Sequence, residues 1–443
     1  MSSTKAYWVV GALLAAVLAC TLPGMIDTDQ AATSVAATLA PLTPAEPASP
    51  DAPAMATPGD ATPAWPSVLR IAYVSDGDIW LLEEGSAARL LTSSGSAVRV
   101  VISDDGAKVA FLRIVDPTGT GHTELRAVNA DGTSESVLLS AADLDALYPP
   151  LEGTVGTDIS QLAFIPGTHA LLFNTFRIPE FIGLIKSDDL WRVEADTGVH
   201  STVLPAGEGG DFAVSPDGSQ IMIVTPRQAG LVNIDASSRR PGLISYPLVT
   251  TYSEFLFYPV PVWAADSSTA GLVVPSSDPL APATSGTVWH LPADGGPAVS
   301  VGTISANLYI NFLYQSPLSP TLERLAYTRP TADPNIHNLY VADASGGGET
   351  LVATGQIDWH GWSPDAAHFI YSVDSPLALQ LGSIGGGALA IGSGMCVQWI
   401  DASHFLFLSM GDGEATLYRG NLDGTSTALA TLSGDPLAYN FDD

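Results

Sequence analysis

The side chains able to do chemistry are spread thinly along this chain. Its eight histidines show no metal-ligand spacing, and the patterns H-E-x-x-H, C-x-x-C, G-x-S-x-G and G-x-x-x-x-G-K-[ST] do not occur. Zinc-peptidase, dithiol, serine-hydrolase and P-loop chemistry therefore lack their motifs. What does recur is a set of Asp-Gly pairs, as in Ser215-Pro216-Asp217-Gly218 and Asn129-Ala130-Asp131-Gly132. A calcium loop needs alternating oxygen ligands closed by a bidentate acid, and these segments supply only a fragment of that. A tight turn needs residues that preset φ and a glycine that accepts φ > 0, and they supply both. The densest group is Trp359, His360 and Trp362. On a strand these read as packing between neighbouring units, with a ligand-stacking surface as the functional alternative. No catalytic residue, no metal site and no cofactor follows from the residues.

The turns point back to the elements that must carry them. Asp211 to Thr225, DFAVSPDGSQIMIVT, is two apolar runs joined by Ser-Pro-Asp-Gly, which reads as a β-hairpin. Ala97 to Arg113 repeats it, and weaker copies begin at Ile159, Val260, Ser316, Ile357 and Cys396. A second hairpin type alternates with the first, beginning at Glu124, Asp189, Thr287, Asn338 and Thr416, each with an Asp-Gly, Asp-Thr-Gly or Gly-rich turn. One hairpin cannot bury its apolar face, but stacked repeats can. Paired, the two types make a four-stranded antiparallel unit of roughly 35 to 50 residues, the period of a propeller blade.

We call the strands of a unit A to D, with A and B flanking the first turn and C and D the second. The chain starts with B, C and D (Val68 to Leu91) and ends with an A-like strand, Asp435 to Asp443. The expected fold is therefore all-β: a single closed β-propeller of eight blades, with seven the alternative, in which the last strand pairs beside the first. Closure leaves no exposed inner sheet edge.

The repeat resembles that of TolB-type β-propellers, in which Ser-Pro-Asp-Gly precedes an apolar strand and an Ile-Tyr or Leu-Tyr strand follows. Ser215 to Gly218, Ser363 to Asp365, Ser103 to Gly106, Leu339-Tyr340 and Leu417-Tyr418 carry the likeness. Ala366 stands where glycine is expected, and Ser267, Thr321 and Ser403 lie where the Asp-Gly turn is lost. The resemblance covers Val68 to Asp443 and implies a fold without implying an activity.

The remaining inferences concern location and partners. Lys5 precedes the apolar run Ala6 to Ala19, too short for a membrane span of about 20 residues and suited to a secretory h-region. Val17-Leu18-Ala19-Cys20 resembles the lipobox of bacterial lipoproteins, which implies lipidation of Cys20. Cys396, in the apolar stretch Met395 to Ile400, reads as buried and inert. Thr21 to Ser67 is rich in Ala, Thr, Pro and Ser and reads as a disordered tether. The expected division is 1–19 signal peptide, 20–66 lipidated cysteine and linker, and 67–443 propeller. Sixteen Lys plus Arg against 46 Asp plus Glu give a net charge of -30, which disfavours nucleic acid.

Four antiparallel strands put the short A–B and C–D turns on one rim, so the long connections fall on the other. These are Ala141 to Asp158, Thr175 to Asp188, Pro247 to Pro259, Ser276 to Gly286 and Gly302 to Leu313. They carry Arg177, Phe181, Lys186, Tyr252, Phe255, Tyr258, Tyr309 and Phe312, a composition suited to contact surfaces. The expectation is a monomeric, non-enzymatic, lipid-anchored extracytoplasmic propeller whose long-loop rim binds a protein, peptide or envelope glycan. The alternative is a propeller hydrolase or lyase with its site at the channel mouth.

Overall fold

A computed structural model describes residues 68–442, apart from 117–120, 181–184, 252–254, 278–283, 307–314, 376, 412–413 and 435–436. Cys20, the leader and the tether lie outside the described residues, as do Phe181, Tyr252, Tyr309 and Phe312. Among the described residues no helix is long and apolar enough to cross a membrane.

Eight blades form a closed ring, the number expected. Blade 1 is assembled from both chain ends: Tyr439–Phe441 is strand A, Arg70–Ser75 is B, Asp78–Glu83 is C and Arg89–Leu90 is D. The closing pair is antiparallel, with Ile71 opposite Phe441 and Tyr73 opposite Tyr439. Asp442 adds a side-chain lock. Its carboxylate, only 1% exposed, accepts from the Arg70 backbone N–H at 2.7 Å and from the Arg70 guanidinium at 3.2 Å.

Blades 2 to 8 open with their A strands or A positions in chain order. Blade 2 begins at Ala97–Ile102, blade 3 at Thr154–Phe164, blade 4 at Asp211–Val214 and blade 5 at Val262–Trp263. Blade 7 begins at Ile357–Trp362 and blade 8 at Met395–Trp399. Blade 6 shows three strands, its inner position marked by Leu318 bridging Leu325. Strands B and C read as nearly continuous apolar runs because each blade is packed on both faces. Ile221, Met222 and Val224 of blade 4 are fully buried, yet Ile221 joins the core shared with blade 3 while Met222 and Val224 join the core shared with blade 5.

The A–B turn is a small hydrogen-bonded device. In blade 4 the Ser215 hydroxyl donates to Asp217 Oδ1 at 2.6 Å and accepts from the Gln220 N–H at 2.9 Å, while the Gly218 N–H closes the turn on Ser215 O at 2.8 Å. Gly218 has φ +69, and a Cβ there would sit 2.9 Å from Pro166 O of blade 3, so glycine is required twice over. The loss of the turn expected near Ser267 and Thr321 does not occur in three dimensions, and Ala366 turns as glycine would; near Ser403 the same closing bond is not seen, and Ile400 and Asp401 donate to His404 O instead. Ser267, Leu322 and Ala366 adopt φ of +60, +60 and +57 and make the same closing bond, to Ala264 O, Ser319 O and Ser363 O, each at 2.9 Å. Packing of the flanking strands holds these residues in a conformation that costs roughly 1 kcal/mol for a residue with a Cβ.

Three of the long connections are more regular than a loop reading allows. Ser140 and Asp143 form a capping box that starts the helix Ala141–Ala146. Strands Thr154–Phe164 and Ala170–Pro179 of blade 3 stay paired beyond the blade, out to Thr154 opposite Pro179, because β-branched Thr and Ile populate both. Ile185–Lys186 adds a short strand beside Arg177 and Phe176. In the connection before blade 5, Thr250–Thr251 pairs with Phe255–Leu256.

Ser215 is fully buried and holds both the turn acid and a strand N–H, so Ser215→Ala is expected to cost about 1–3 kcal/mol. Ser219→Ala, at an exposed position of the same turn, is expected to change stability by less than about 0.5 kcal/mol. Thermal melts of the two variants beside the parent check this; equal melting temperatures for the two would show that the turn network does not hold the blade.

Candidate functional site

The long-loop rim of blades 3 to 5 gathers residues from three separated segments. Extension of the blade 3 hairpin places Arg177 and Lys186 on neighbouring strands, with Lys186 opposite Phe176 and Ile185 opposite Arg177. The Arg177 guanidinium lies 4.9 Å over the Tyr148 ring and donates to Thr157 Oγ1 and Pro149 O, both at 3.0 Å. Tyr148 in turn donates to Asp189 Oδ2 at 2.6 Å, which also accepts from Trp191 Nε1 at 2.8 Å and Thr175 Oγ1 at 2.7 Å. Asp189 is fully buried with its lone pairs engaged, so it braces the loop.

Lys186 anchors a second group. Its ammonium is 2.5 Å from Asp211 Oδ1 and 4.2 Å from the centre of the Tyr258 ring. Tyr258 donates to Asp188 Oδ1 at 2.8 Å. Asp188 holds φ +48, and its carbonyl accepts from the N–H groups of Gly207 (2.8 Å) and Gly209 (2.7 Å). Burial pushes the Asp188 carboxyl up to about 6; the Asp211 charge adds to this, while the Tyr258 hydrogen bond and the Lys186 ammonium oppose it. Burial and the neighbouring carboxylates also raise the Tyr258 hydroxyl, which therefore stays a donor at neutral pH. Chemically the group offers one proton-labile carboxyl, one paired carboxylate, one paired ammonium and an aromatic face.

Trp359, His360 and Trp362 lie elsewhere, on the inner strand of blade 7. Both indoles are 6% exposed and pack in the core of blades 6 and 7, Trp362 donating to Pro317 O at 3.1 Å and Trp359 meeting Phe369 at a ring separation of 5.7 Å. The expected packing role accounts for Trp359, which has almost no surface to offer a ligand. His360 and Trp362 do reach the central channel, where His360 Nε2 pairs with Ser372 Oγ at 3.0 Å. Burial lowers the His360 ring to about 4, so it is neutral at physiological pH.

Of the rim residues expected from sequence, Arg177, Lys186 and Tyr258 are brought to one region. Phe181, Tyr252, Tyr309 and Phe312 lie outside the described residues, as does the side chain of Phe255. Sequence reasoning missed Asp188 and Asp211, which it absorbed into a loop end and a strand start. The available signal was charge scarcity: Lys186 is one of three lysines, and in an acidic chain a partly buried lysine needs a carboxylate partner. Among the described residues no group of three or more His, Cys, Asp or Glu is arranged to hold a metal ion.

A carboxyl whose folded-state value lies at about 6 rather than 3.8 takes up its proton more readily in the folded chain. Its stability contribution is thus full below about pH 4 and lost as pH rises through about 6. Asp188→Asn is expected to raise stability at about pH 7.5 by on the order of 1 kcal/mol, after allowance for solvent screening, and to converge with the parent near pH 4. Melts across this range check it; a variant less stable than the parent at neutral pH would mean that the charge is required by its neighbours.

No family model and no curated sequence matches the chain. Solved structures match by shape. The chain is similar to dipeptidyl peptidase 4 of Porphyromonas gingivalis at TM-score 0.50 and 10% identity, over 82% of this chain and 59% of that one. It therefore spans about 59% of the length of that peptidase. It is also similar to TolB of Acinetobacter baumannii (TM-score 0.33, 12% identity, 77% of this chain and 81% of that one). A third match is an oligogalacturonate lyase in complex with manganese (TM-score 0.40, 13% identity, 69% and 82%). Identities this low speak to fold alone. The fold implied by the resemblance to TolB-type propellers, a closed ring of four-stranded antiparallel blades, is the fold of this chain.

Proposed function

We propose that this protein is a lipid-anchored extracytoplasmic propeller that binds a protein or peptide partner through the long-loop rim of blades 3 to 5. The observation that carries this reading is the brace beneath that rim. Asp189 takes three side-chain donors, and Lys186 is held between Asp211 and the Tyr258 ring, so the loops bearing Phe181, Tyr252 and Phe255 spring from a rigid base. Rigid scaffolds that carry aromatic loops lower the ordering cost of association. The leader 1–19, lipidation at Cys20, linker 20–66 and propeller 67–443 would then serve one purpose, holding the rim away from a membrane at the end of a tether.

A second reading, a hydrolase or lyase at the channel mouth, is favoured by the Asp188, Asp211 and Lys186 group, where a carboxyl raised to about 6 neighbours a paired carboxylate. We prefer binding because Lys186 and Asp211 already neutralise each other and are both mostly buried.

Two experiments test the reading. Cys20→Ser is expected to abolish palmitate labelling and move the protein to the soluble fraction. A cross-linked partner recovered by the parent is expected to be lost from the triple variant Phe181→Ala, Tyr252→Ala, Phe255→Ala and kept by Ser219→Ala on the opposite rim. Equal recovery by both would refute the rim; turnover of a substrate abolished by Asp188→Asn without loss of partner would favour the enzyme.

A further inference from the structure

The turn-rim half of the central channel opens into a cavity of about 580 Å³, walled by inner strands and A–B turns from around the ring. This is the end opposite the rim discussed above: Asp104, Pro166, Pro320 and Pro364, all A–B turn residues, stand at its edge. The volume falls within the roughly 300–1,000 Å³ of small-molecule sites. Its chemistry departs from that of the chain as a whole. In a protein of net charge -30, only Asp104 among the described lining residues is charged, and its Oδ2 already accepts from the Gly167 N–H at 2.6 Å. His360 is neutral and no Lys or Arg is among the described lining residues, so the cavity offers no compensation to an anionic ligand.

What it offers instead is an alternation of aromatic surface and fixed amides. Trp399 is held in place, its ring meeting Phe405 edge-on at 5.2 Å and its indole N–H donating to Gly361 O at 3.4 Å, and it remains partly exposed toward the cavity. Asn440 accepts the Ile102 N–H on Oδ1 at 3.0 Å, which fixes its amide and leaves the NH₂ as a donor. Gln398 donates from Nε2 to Tyr439 O at 3.2 Å, leaving its carbonyl oxygen as an acceptor. Both amides are anchored by backbone, so a ligand meeting them loses little to side-chain ordering.

We propose that this cavity is a binding site for a neutral saccharide of one or two units. Such a ligand presents an apolar C–H face to Trp399 and hydroxyls, each donor and acceptor, to Asn440, Gln398 and His360. It needs no counter-charge. The site is separate from the long-loop rim, so its occupancy does not depend on the partner proposed there.

The test is a titration of the full chain, in a detergent without a sugar headgroup, with cellobiose, maltose and N,N′-diacetylchitobiose. Tryptophan fluorescence and ligand-observed saturation-transfer NMR read the binding, with uridine and glucuronate as comparators. At least one disaccharide is expected to bind saturably, with affinity falling about tenfold or more in Gln398→Ala and Trp399→Phe, and unchanged in Val299→Ala, an exposed outer-strand position. Glucuronate is expected not to bind. Absence of binding by all three disaccharides at about 10 mM overturns the proposal. So does binding that survives Gln398→Ala, or a preference for uridine over every disaccharide. A failure of Gln398→Ala to fold is detected by its melt, and Trp399→Phe then decides.

Discussion

Everything in this molecule depends on one strand pairing between residues about 370 positions apart, Tyr439–Phe441 beside Arg70–Ser75. A ring of blades without it has an exposed inner edge and a gap in the wall of the channel. Three residues of pairing are a short seam, and the seam is strengthened by charge: Asp442, nearly inaccessible to solvent, takes both the backbone and the guanidinium of Arg70. The same guanidinium donates to Asp105 O of the blade 2 turn, and Asn440 accepts from Ile102 of blade 2, so closing blade 1 also seats it against its neighbour. Removing Arg70 would leave the Asp442 carboxylate buried without its counter-charge, which is costlier than the pair is favourable.

Once the ring is closed, its two rims become chemically different for a reason of chain geometry. The blades deliver their hairpin turns to one rim, and some of those turns pack against the preceding blade at backbone contact distance, as Gly218 does against Pro166. They leave little freedom for insertion. The other rim receives the connections between hairpins and between blades, which can lengthen at modest entropic cost. Blade 3 exploits this by continuing its hairpin beyond the sheet, and the extension carries Arg177 and Lys186 to the region of Tyr148 and Tyr258.

The inner strands have a third role. Their side chains alternate between the interblade cores and the channel, so a single strand such as Ile357–Trp362 contributes core aromatics and a channel histidine within six residues. The irregular register between Trp359 and Gly361 shifts the alternation, so that Trp359 and Trp362, three residues apart, share one core, while His360 and Trp362 border the channel. A strict period of two would have placed the indoles on opposite faces.

The sequence by itself determined the blade repeat, the all-β class, the eight-fold count and the split closing blade, because strand period and turn chemistry are local properties written in Ser-Pro-Asp-Gly and Asp-Gly. It also separated the rims, since loop length is counted directly. It could not see that Ser267, Leu322 and Ala366 would keep the left-handed turn, because the packing that imposes it comes from flanking strands. Nor could it bring Asp188, Asp211, Lys186 and Tyr258 together, which follows from the path of the blade 3 extension. Only the tertiary structure decided which polar groups meet, because contacts across blades join residues whose sequence separation carries no periodic signal.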